Sequence, residues 1–260
     1  MHVTERERLI MEAVSENGFV TYRHLEGLLD ASPATIRRDL ARLEQNGMLA
    51  RVHGGARVES AHQPQSSHNL LGTPFSEALG KQLPQKQAIG REAAKLCVSG
   101  EGVMIDGGTT TLQMCPHIDG LGLQVLTSSL HIVNALLPQA GTRILVPSGA
   151  VFREQNIILA PGGEESMPRF HAPKLFMGAA AVGKQGIMQA DVILVANERR
   201  FIDRAQELIV LVDSSKFIAS SGTLVCDLSE IDVLITDDGV SDADAAMIRQ
   251  AGVDLRIVSV

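Results

Sequence analysis

The stretch Gly102-Val-Met-Ile-Asp-Gly-Gly-Thr-Thr-Thr-Leu112 sets the fold of the larger part of this chain. Val103-Met104-Ile105 is an apolar run that predicts a buried strand. Asp106-Gly107-Gly108 follows as a tight turn. Thr109, Thr110 and Thr111 offer an N-cap and hydroxyls, and the next four residues predict a helix. Glycines let a ligand approach the main chain closely, and free N–H groups at a helix start favour an anion such as phosphate. Taken alone, the stretch reads equally well as an ordinary strand-to-helix turn. It has no Gly-x-Gly-x-x-Gly and no Gly-Lys-Ser/Thr ending, so a small phosphorylated ligand is expected before a nucleotide.

Outward from this stretch, from residue 86 on, strand-like and helix-like runs alternate. Apolar strands are expected at 103–105, 123–126, 143–146, 208–212, 233–235 and 254–258. Helices are expected at about 129–137, 197–206 and 241–251, and Ile89, Ala93, Ala94 and Leu96 mark a helix face ahead of the first strand. This is the alternation of an open parallel α/β sheet, whose ligands bind outside the carboxyl ends of the strands. The polar clusters fall there. Asp106 to Thr110 follow the first strand, Thr127-Ser128-Ser129 the second, Ser148-Gly149 the third, and Asp213-Ser-Ser-Lys216 a later one. Asp213 alone reads as a turn cap and Lys216 alone as a surface lysine; their placement on one edge with the others is what marks them.

Residues 1–58 have a different pattern. Thr4 with Glu7 predicts a capped helix whose apolar face is Leu9, Ile10, Ala13 and Val14, ended by Asn17-Gly18. Thr21 caps a short second helix with Leu25, Leu28 and Leu29 inward, and Asp30-Ala31 is a tight turn. Ser32-Pro33 is an N-cap with proline at the first helical position. The third helix is expected over about 33–45, with Ile36, Leu40 and Leu43 buried. Its other face shows Ser32, Thr35, Arg37, Arg38 and Arg42. Three short helices with a tight turn before the third form a helix-turn-helix pattern. Arg37 and Arg38 would then lie in a major groove, one reading guanine or both holding phosphates. A solvated face of a small bundle is the plainer alternative. Met48 to Arg57 then alternates apolar and polar residues around Arg51 and His53, as a β-hairpin wing with Gly54-Gly55 at its turn.

Composition bounds the rest. The chain has 260 residues, 45% of them hydrophobic, with no Trp and one Tyr, so the core is mostly aliphatic. The net charge of −7 argues against a protein that coats nucleic acid or anionic membrane nonspecifically. Residues 1–58 carry eight basic and eight acidic side chains, so the whole excess lies beyond them, and DNA contact must come from a local basic face. Cys97, Cys115 and Cys226 are scattered without C-x-x-C spacing and read as buried hydrophobes in a reducing compartment. With no signal segment and no run of 18 apolar residues, a soluble cytoplasmic protein with no membrane partner is expected. Residues 59–84 are rich in Ser, Gln, His and Pro and predict a linker; His62 and His68 there have no metal-ligand spacing.

Ser32-Pro-Ala-Thr-Ile-Arg-Arg-Asp-Leu40, Leu43-Glu-x-x-Gly47 and His53-Gly-Gly-Ala56 resemble the winged helix of the DeoR family of bacterial sugar-metabolism regulators. Lys86-x-x-Ile-Gly90, Asp106-Gly-Gly-Thr-Thr110, Phe176-Met-Gly178, Gly186-Ile-Met188, Glu198 and Asp213-Ser-Ser-Lys-Phe217 resemble that family's C-terminal sensor domain, which is similar to ribose-5-phosphate isomerase. Two departures stand out. Phe75-Ser-Glu-Ala78 replaces the usual Phe-x-x-Arg, and Ser148-Gly149 replaces the usual Gly-Gly. The run Asn156 to Pro161 with Glu164 and Ser166 is similar to the branch containing the ascorbate-utilisation repressor.

The resemblance implies an α+β winged helix-turn-helix domain (1–58), a linker (59–84) and an α/β open-sheet sensor domain (85–260). It implies a regulator, most often a repressor, held on double-stranded operator DNA and released by a phosphorylated sugar or sugar acid. DNA contacts are expected from Ser32, Thr35, Arg37, Arg38, Arg42, Arg51 and His53. Effector contacts are expected from Asp106, Gly107, Gly108, Thr109, Thr110, Thr127, Ser128, Ser148, Gly149, Glu198, Asp213 and Lys216. No catalytic residue, metal or cofactor is expected. One recognition helix covers only a half-site, so a homo-oligomer, dimer or tetramer, is expected. Two other classes compete. One is a sugar-phosphate isomerase with an appended winged helix, using Glu198 or Asp106 as base. The other is an interaction module that binds no DNA, against which Arg37-Arg38 and the His53 wing argue.

Overall fold

The computed structural model of the chain describes residues 3–17, 19–29, 31–45, 49–52, 55–58, 75–153, 155–159, 167–219 and 222–260. It divides into two compact units, Met1–Ser67 and His68–Val260.

In the first unit, α1 (Val3–Asn17), β1 (Phe19–Thr21), α2 (Tyr22–Leu28) and α3 (Pro33–Gln45) precede the strands β2 (Leu49–Val52) and β3 (Gly55–Val58). The strands form an antiparallel sheet in the order β1-β3-β2. This is the expected winged helix-turn-helix, and α3 has its expected bounds. Ile10, Val14, Leu25, Ile36, Leu40, Leu43, Leu49 and Ala56 fill its core. Leu28 departs from expectation at 44% exposed. Leu25 and Leu29, four residues apart, take the inward position on successive turns instead. The buried carboxylate of Asp39 on α3 receives Arg6 Nε of α1 at 2.7 Å and an Arg42 nitrogen at 3.1 Å. Arg42 Nε also reaches Glu7 at 2.6 Å, so charges as well as apolar contacts join α1 to α3.

The second unit opens with α4 (Phe75–Leu79) and α5 (Leu83–Ala94). The chain continues as β4 (Gly102–Ile105), β5 (Gln124–Leu126), α6 (Leu130–Leu136), β6 (Arg143–Leu145), β7 (Ala150–Phe152), β8 (Ile157–Leu159) and β9 (Ala172–Met177). Then come β10 (Ala181–Gly183), β11 (Gly186–Gln189), α7 (Val192–Ile202), β12 (Ala205–Leu211), β13 (Thr223–Cys226), β14 (Val233–Asp237), α8 (Asp242–Gln250) and β15 (Asp254–Val258). Seven strands form one sheet in the order β15-β14-β12-β9-β4-β5-β6, every neighbouring pair parallel. The period of two along a strand divides the core. Val103 and Ile105 pack with α5, α6 and the segment Met114–Ile118, whereas Met104 packs with Phe201 of α7, Leu175 and Ile248 of α8.

The chain runs outward from β4 through β5 to β6. It then returns to the other side of β4 as β9 and runs outward again through β12 and β14 to β15. The direction reverses between β4 and β9, and that gap at the carboxyl edge is the topological switch point, where open α/β sheets seat their ligands.

Four expectations are corrected here. The expected linker 59–84 ends early, because Phe75–Leu79 is helical and Phe75 is buried. The helix expected at 197–206 is α7, which starts at Val192 behind the cap of Asp191, whose carboxylate accepts from Ile193 N–H. The helix after the Gly-Gly turn is a 3-10 helix, Thr111–His117, with Pro116 inside it. The strand β9, in the middle of the sheet, is absent from the expected set. Its Pro173 precedes Lys174, where pairing with β4 begins, so the missing N–H costs no ladder bond to that strand.

Candidate functional site

In the first unit, Ser32 precedes α3 and its hydroxyl lies 2.9 Å from that of Thr35. Arg37 and Arg38 are exposed beside them, so Ser32, Thr35, Arg37 and Arg38 share the start of one helix. Arg42, one turn on, commits its guanidinium to Glu7 and Asp39. Arg51 is in β2, without a described side chain, and His53 lies outside the described residues.

The site in the second unit begins at the carboxyl end of β4. Asp106 N–H donates to Phe176 O of β9 at 2.9 Å, which extends the sheet one step beyond Ile105. Thr111 Oγ1 donates to Asp106 O at 2.8 Å and lies 3.0 Å from Gly108 O, closing the turn on itself. Among the described residues, the N–H groups of Gly108 and Thr109 donate to no backbone carbonyl. Because the following helix is a short 3-10 turn, the groups this turn offers are those N–H groups and the threonine hydroxyls, not an α-helix dipole. The turn is held down by α5. A Cβ on Gly90 would come within 2.6 Å of the Gln113 backbone, so only glycine lets α5 lie this close.

Along the same edge, Thr127 and Ser128 follow β5 and are fully buried. Thr127 Oγ1 accepts from Ser129 N–H at 3.1 Å, and Ser129 caps α6. Asp213 follows β12 and caps the 3-10 helix Ser214–Phe217 through Ser215 N–H, which places Lys216 on that turn. Ser148 and Gly149 are exposed on the connection between β6 and β7.

The alternation that turns Met104 toward α7 turns Asp106 the same way. On that side the Asp106 charge acts on Glu198 of α7, which with its neighbour Asn197 is buried, 3% and 5% exposed. Asn197 Nδ2 donates to Ser128 Oγ at 3.4 Å, and Gln189 Nε2 of β11 donates to Glu198 Oε1 at 2.5 Å. Glu198 Oε2 and Asn197 Oδ1 are buried and accept no hydrogen bond among the described residues. Burial pushes the Asp106 carboxyl up to about 7, against the pull of the Gly107 N–H. Burial, and then the charge of Asp106, raises Glu198 well above the ordinary carboxylate range.

Two residues of this site escape the expected set. Asn197 is one. The other is Lys86, which is 3% exposed and donates from Nζ to Ala78 O of α4 at 2.6 Å. Burial lowers its ammonium below the usual range, Asp213 opposes that, and Lys216 and Lys81 add to it. Lys86 therefore sits at the Asp213 end of the edge. A signal for it exists in the sequence: Lys86, Ile89, Gly90 and Ala93 fall at i, i+3, i+4 and i+7, so a lysine occupies the buried stripe of α5. Burial pushes the thiols of Cys97, Cys115 and Cys226 up to about 12, which disfavours the thiolate form. Among the described residues no group of three or more His, Cys, Asp or Glu side chains is placed to hold a metal ion. A hollow of about 560 Å³ lined by Lys184, Leu224, Asp227 and Ala251 includes none of these site residues.

Comparison with known families matches residues 6–62 to the DeoR-like helix-turn-helix domain and residues 81–238 to the DeoR C terminal sensor domain. The chain belongs to the DeoR family. This DeoR-family protein is 29% identical to a putative aga operon transcriptional repressor of Escherichia coli O157:H7, over 98% of this chain and 94% of that one. It is 28% identical to the HTH-type transcriptional repressor GlcR of Bacillus subtilis strain 168, over 99% and 97%. To the HTH-type transcriptional regulator UlaR of Shigella dysenteriae it is 27% identical over 98% and 99%. These relatives are named as regulators of transcription and not as enzymes, and the DeoR-family protein is a DNA-binding transcriptional regulator. Among solved structures, it matches a probable sor operon regulator from Shigella flexneri with a TM-score of 0.40 at 7% identity, over 74% of this chain and 96% of that one. It matches a ribose 5-phosphate isomerase A from Methanocaldococcus jannaschii with a TM-score of 0.37 at 16% identity, over 51% and 53%. No described helix is long and apolar enough to cross a membrane.

Proposed function

We propose that this regulator represses a sugar or sugar-acid catabolic operon and leaves its operator when a phosphorylated sugar or sugar acid binds the second unit. The observation that carries the effector class is the set of buried or turn-held polar groups left without partners at the carboxyl ends of the strands. The donors on this edge are the N–H groups of Gly108 and Thr109 and the hydroxyls of Thr109 and Thr110 after β4, with Lys216 after β12 and Lys86 beside Asp213. Buried oxygens of Glu198 and Asn197 without a hydrogen-bond partner among the described residues lie on α7. A phosphate would be satisfied by the N–H, hydroxyl and ammonium donors, and sugar hydroxyls by the polar oxygens of α7. The second unit carries the chain's net negative charge, so a phosphate dianion is held by these local donors and not drawn in by the overall field. Ser32, Thr35, Arg37 and Arg38 are the residues offered to DNA, and the second unit is the joint of a dimer or tetramer acting in the cytoplasm.

The test is a gel shift. Operator DNA is selected from a random library by the purified protein, and the complex is then titrated with a panel of sugar phosphates and sugar-acid phosphates. Release by at least one of them is expected. A complex that survives the whole panel at millimolar concentration refutes the effector class.

A further inference from the structure

We infer that Glu7 sets how tightly this regulator holds DNA of any sequence, by keeping the guanidinium of Arg42 off the phosphate backbone. This rests on the reading above that the start of α3 faces DNA. Positions i, i+3 and i+7 of an α-helix fall on one face, so Thr35, Arg38 and Arg42 form one row. Arg42 lies about 6 Å beyond Arg38 along the axis. The two arginines of that row are treated differently. Among the described residues Arg38 makes no ion pair. Arg42 is held twice: its Nε donates to Glu7 Oε1 of α1 at 2.6 Å, and a terminal nitrogen donates to Asp39 Oδ1 at 3.1 Å.

Of the two carboxylates, one is reserved for Arg42. Asp39 is buried and already has Arg6, whose Nε and a terminal nitrogen reach its two oxygens at 2.7 and 3.3 Å. Glu7 has no partner but Arg42 among the described residues. The Glu7–Arg42 pair is partly exposed, and a guanidinium binds phosphate as it binds carboxylate, so a DNA phosphate competes with Glu7 for it. That competition matters because residues 1–58 carry eight basic and eight acidic side chains. No net field draws DNA to this unit, and affinity depends on which cations are left open. Arg37 and Arg38 are open; Glu7 closes Arg42. Without the Glu7 charge, Arg42 keeps only its share of Asp39 and is free to reach a backbone phosphate.

Fluorescence anisotropy of the full chain on random-sequence duplex DNA, repeated across a series of salt concentrations, tests this. The proteins are wild type, Glu7→Gln, Glu7→Ala, Arg42→Ala and the double variant Glu7→Gln with Arg42→Ala, each checked for an intact melt. Both Glu7 variants are expected to bind about threefold or more tightly at low salt. Their log K should fall more steeply with log salt, by about 0.9, the slope of one added phosphate contact. Arg42→Ala is expected to match wild type, and in the double variant the gain should vanish. The double variant separates a released arginine from the change in net charge, which Glu7→Gln brings whether or not Arg42 is present. Glu7 variants that bind no more tightly than wild type, or a gain that survives in the double variant, overturn the inference and leave the DNA-facing reading of α3 standing. Arg37→Ala and Arg38→Ala, run beside them, test that reading itself: if both bind at the wild-type level, it falls and the inference falls with it.

Discussion

The ring of Phe75 lies flat on the imidazole of His131, with centroids 3.9 Å apart and planes 5° from parallel. This stack fixes α4 to the start of α6, immediately after Ser128 and Ser129. His131 Nε2 is in turn 3.1 Å from Asn156 Nδ2, and Lys86 holds the other end of α4 through Ala78 O. Removing a buried aromatic ring costs about 3–5 kcal/mol when the gap does not close. Phe75→Ala is therefore expected to loosen α4, and trypsin should cut after the exposed Lys81 faster than in wild type. Equal cleavage rates would show that the stack does not hold α4 in place.

Arg37 and Arg38 are separated from Arg42 by what their guanidinium groups already touch. Arg37→Ala or Arg38→Ala should weaken operator binding by about 1–3 kcal/mol if that arginine reads a base. Arg42→Ala removes half-exposed ion pairs to Glu7 and Asp39, worth about 0–1 kcal/mol of stability, and should change DNA affinity less. Gel shifts at fixed salt decide it; an Arg42 effect larger than both others would put the DNA-facing surface farther along α3.

Lys216→Ala should weaken effector binding about tenfold to a hundredfold, because charge-assisted hydrogen bonds contribute about 1.5–3 kcal/mol each. Operator binding without effector should stay at the wild-type level. Titrating effector against the protein–DNA complex reads both. Release of both proteins at the same effector concentration would make Lys216 a surface lysine.

Asp106 gives the sensor a pH dependence whose sign follows from its shift. Its carboxyl moves from 3.8 to about 7 on folding, so between those values the native state holds a proton that the unfolded state has lost. Stability from this group is therefore present at low pH and declines as pH rises toward about 7. Asp106→Asn has no such proton, so its melting temperature should gain on wild type between about pH 5 and about pH 8. Parallel shifts of the two melting curves across that range would mean that Asp106 is ionised in the folded protein at all these values.

Much of this was legible in the chain because local signals agreed with the fold. Ser32-Pro33 and the Ile36, Leu40, Leu43 stripe place α3, and the apolar runs followed by polar clusters place the ligand edge. What escaped did so for physical reasons. Pro173 and Lys174 disguise β9 as a loop, although two parallel neighbours bury it. Val192-Ile-Leu-Val is apolar without helical periodicity, and only the Asp191 cap marks the helix start, so the expected helix begins five residues late. That slip concealed Asn197, whose role depends on Ser128, a residue 69 positions away. No spacing rule reports a contact of that kind. The pairing of Asp106 with Glu198 is equally a product of β4 and α7 meeting in space.

The switch point lies between strands made far apart in time. During synthesis the turn Asp106–Thr110 and the hydroxyls of Thr127 and Ser128 emerge early, while Gly178, Glu198 and Lys216 emerge much later. Domains fold as units, N-terminal first. A chain broken off anywhere within 146–171 thus carries the DNA-reading unit whole, with the switch point of the second unit walled on one side only. Under the proposed effector reading, such a chain, if it keeps its grip on the operator, is blind to the sugar phosphate that would release the full protein. Nonsense mutations in that interval differ in kind from those upstream of α3: the latter leave no DNA-reading unit, and the former leave that unit with an incomplete sensor sheet.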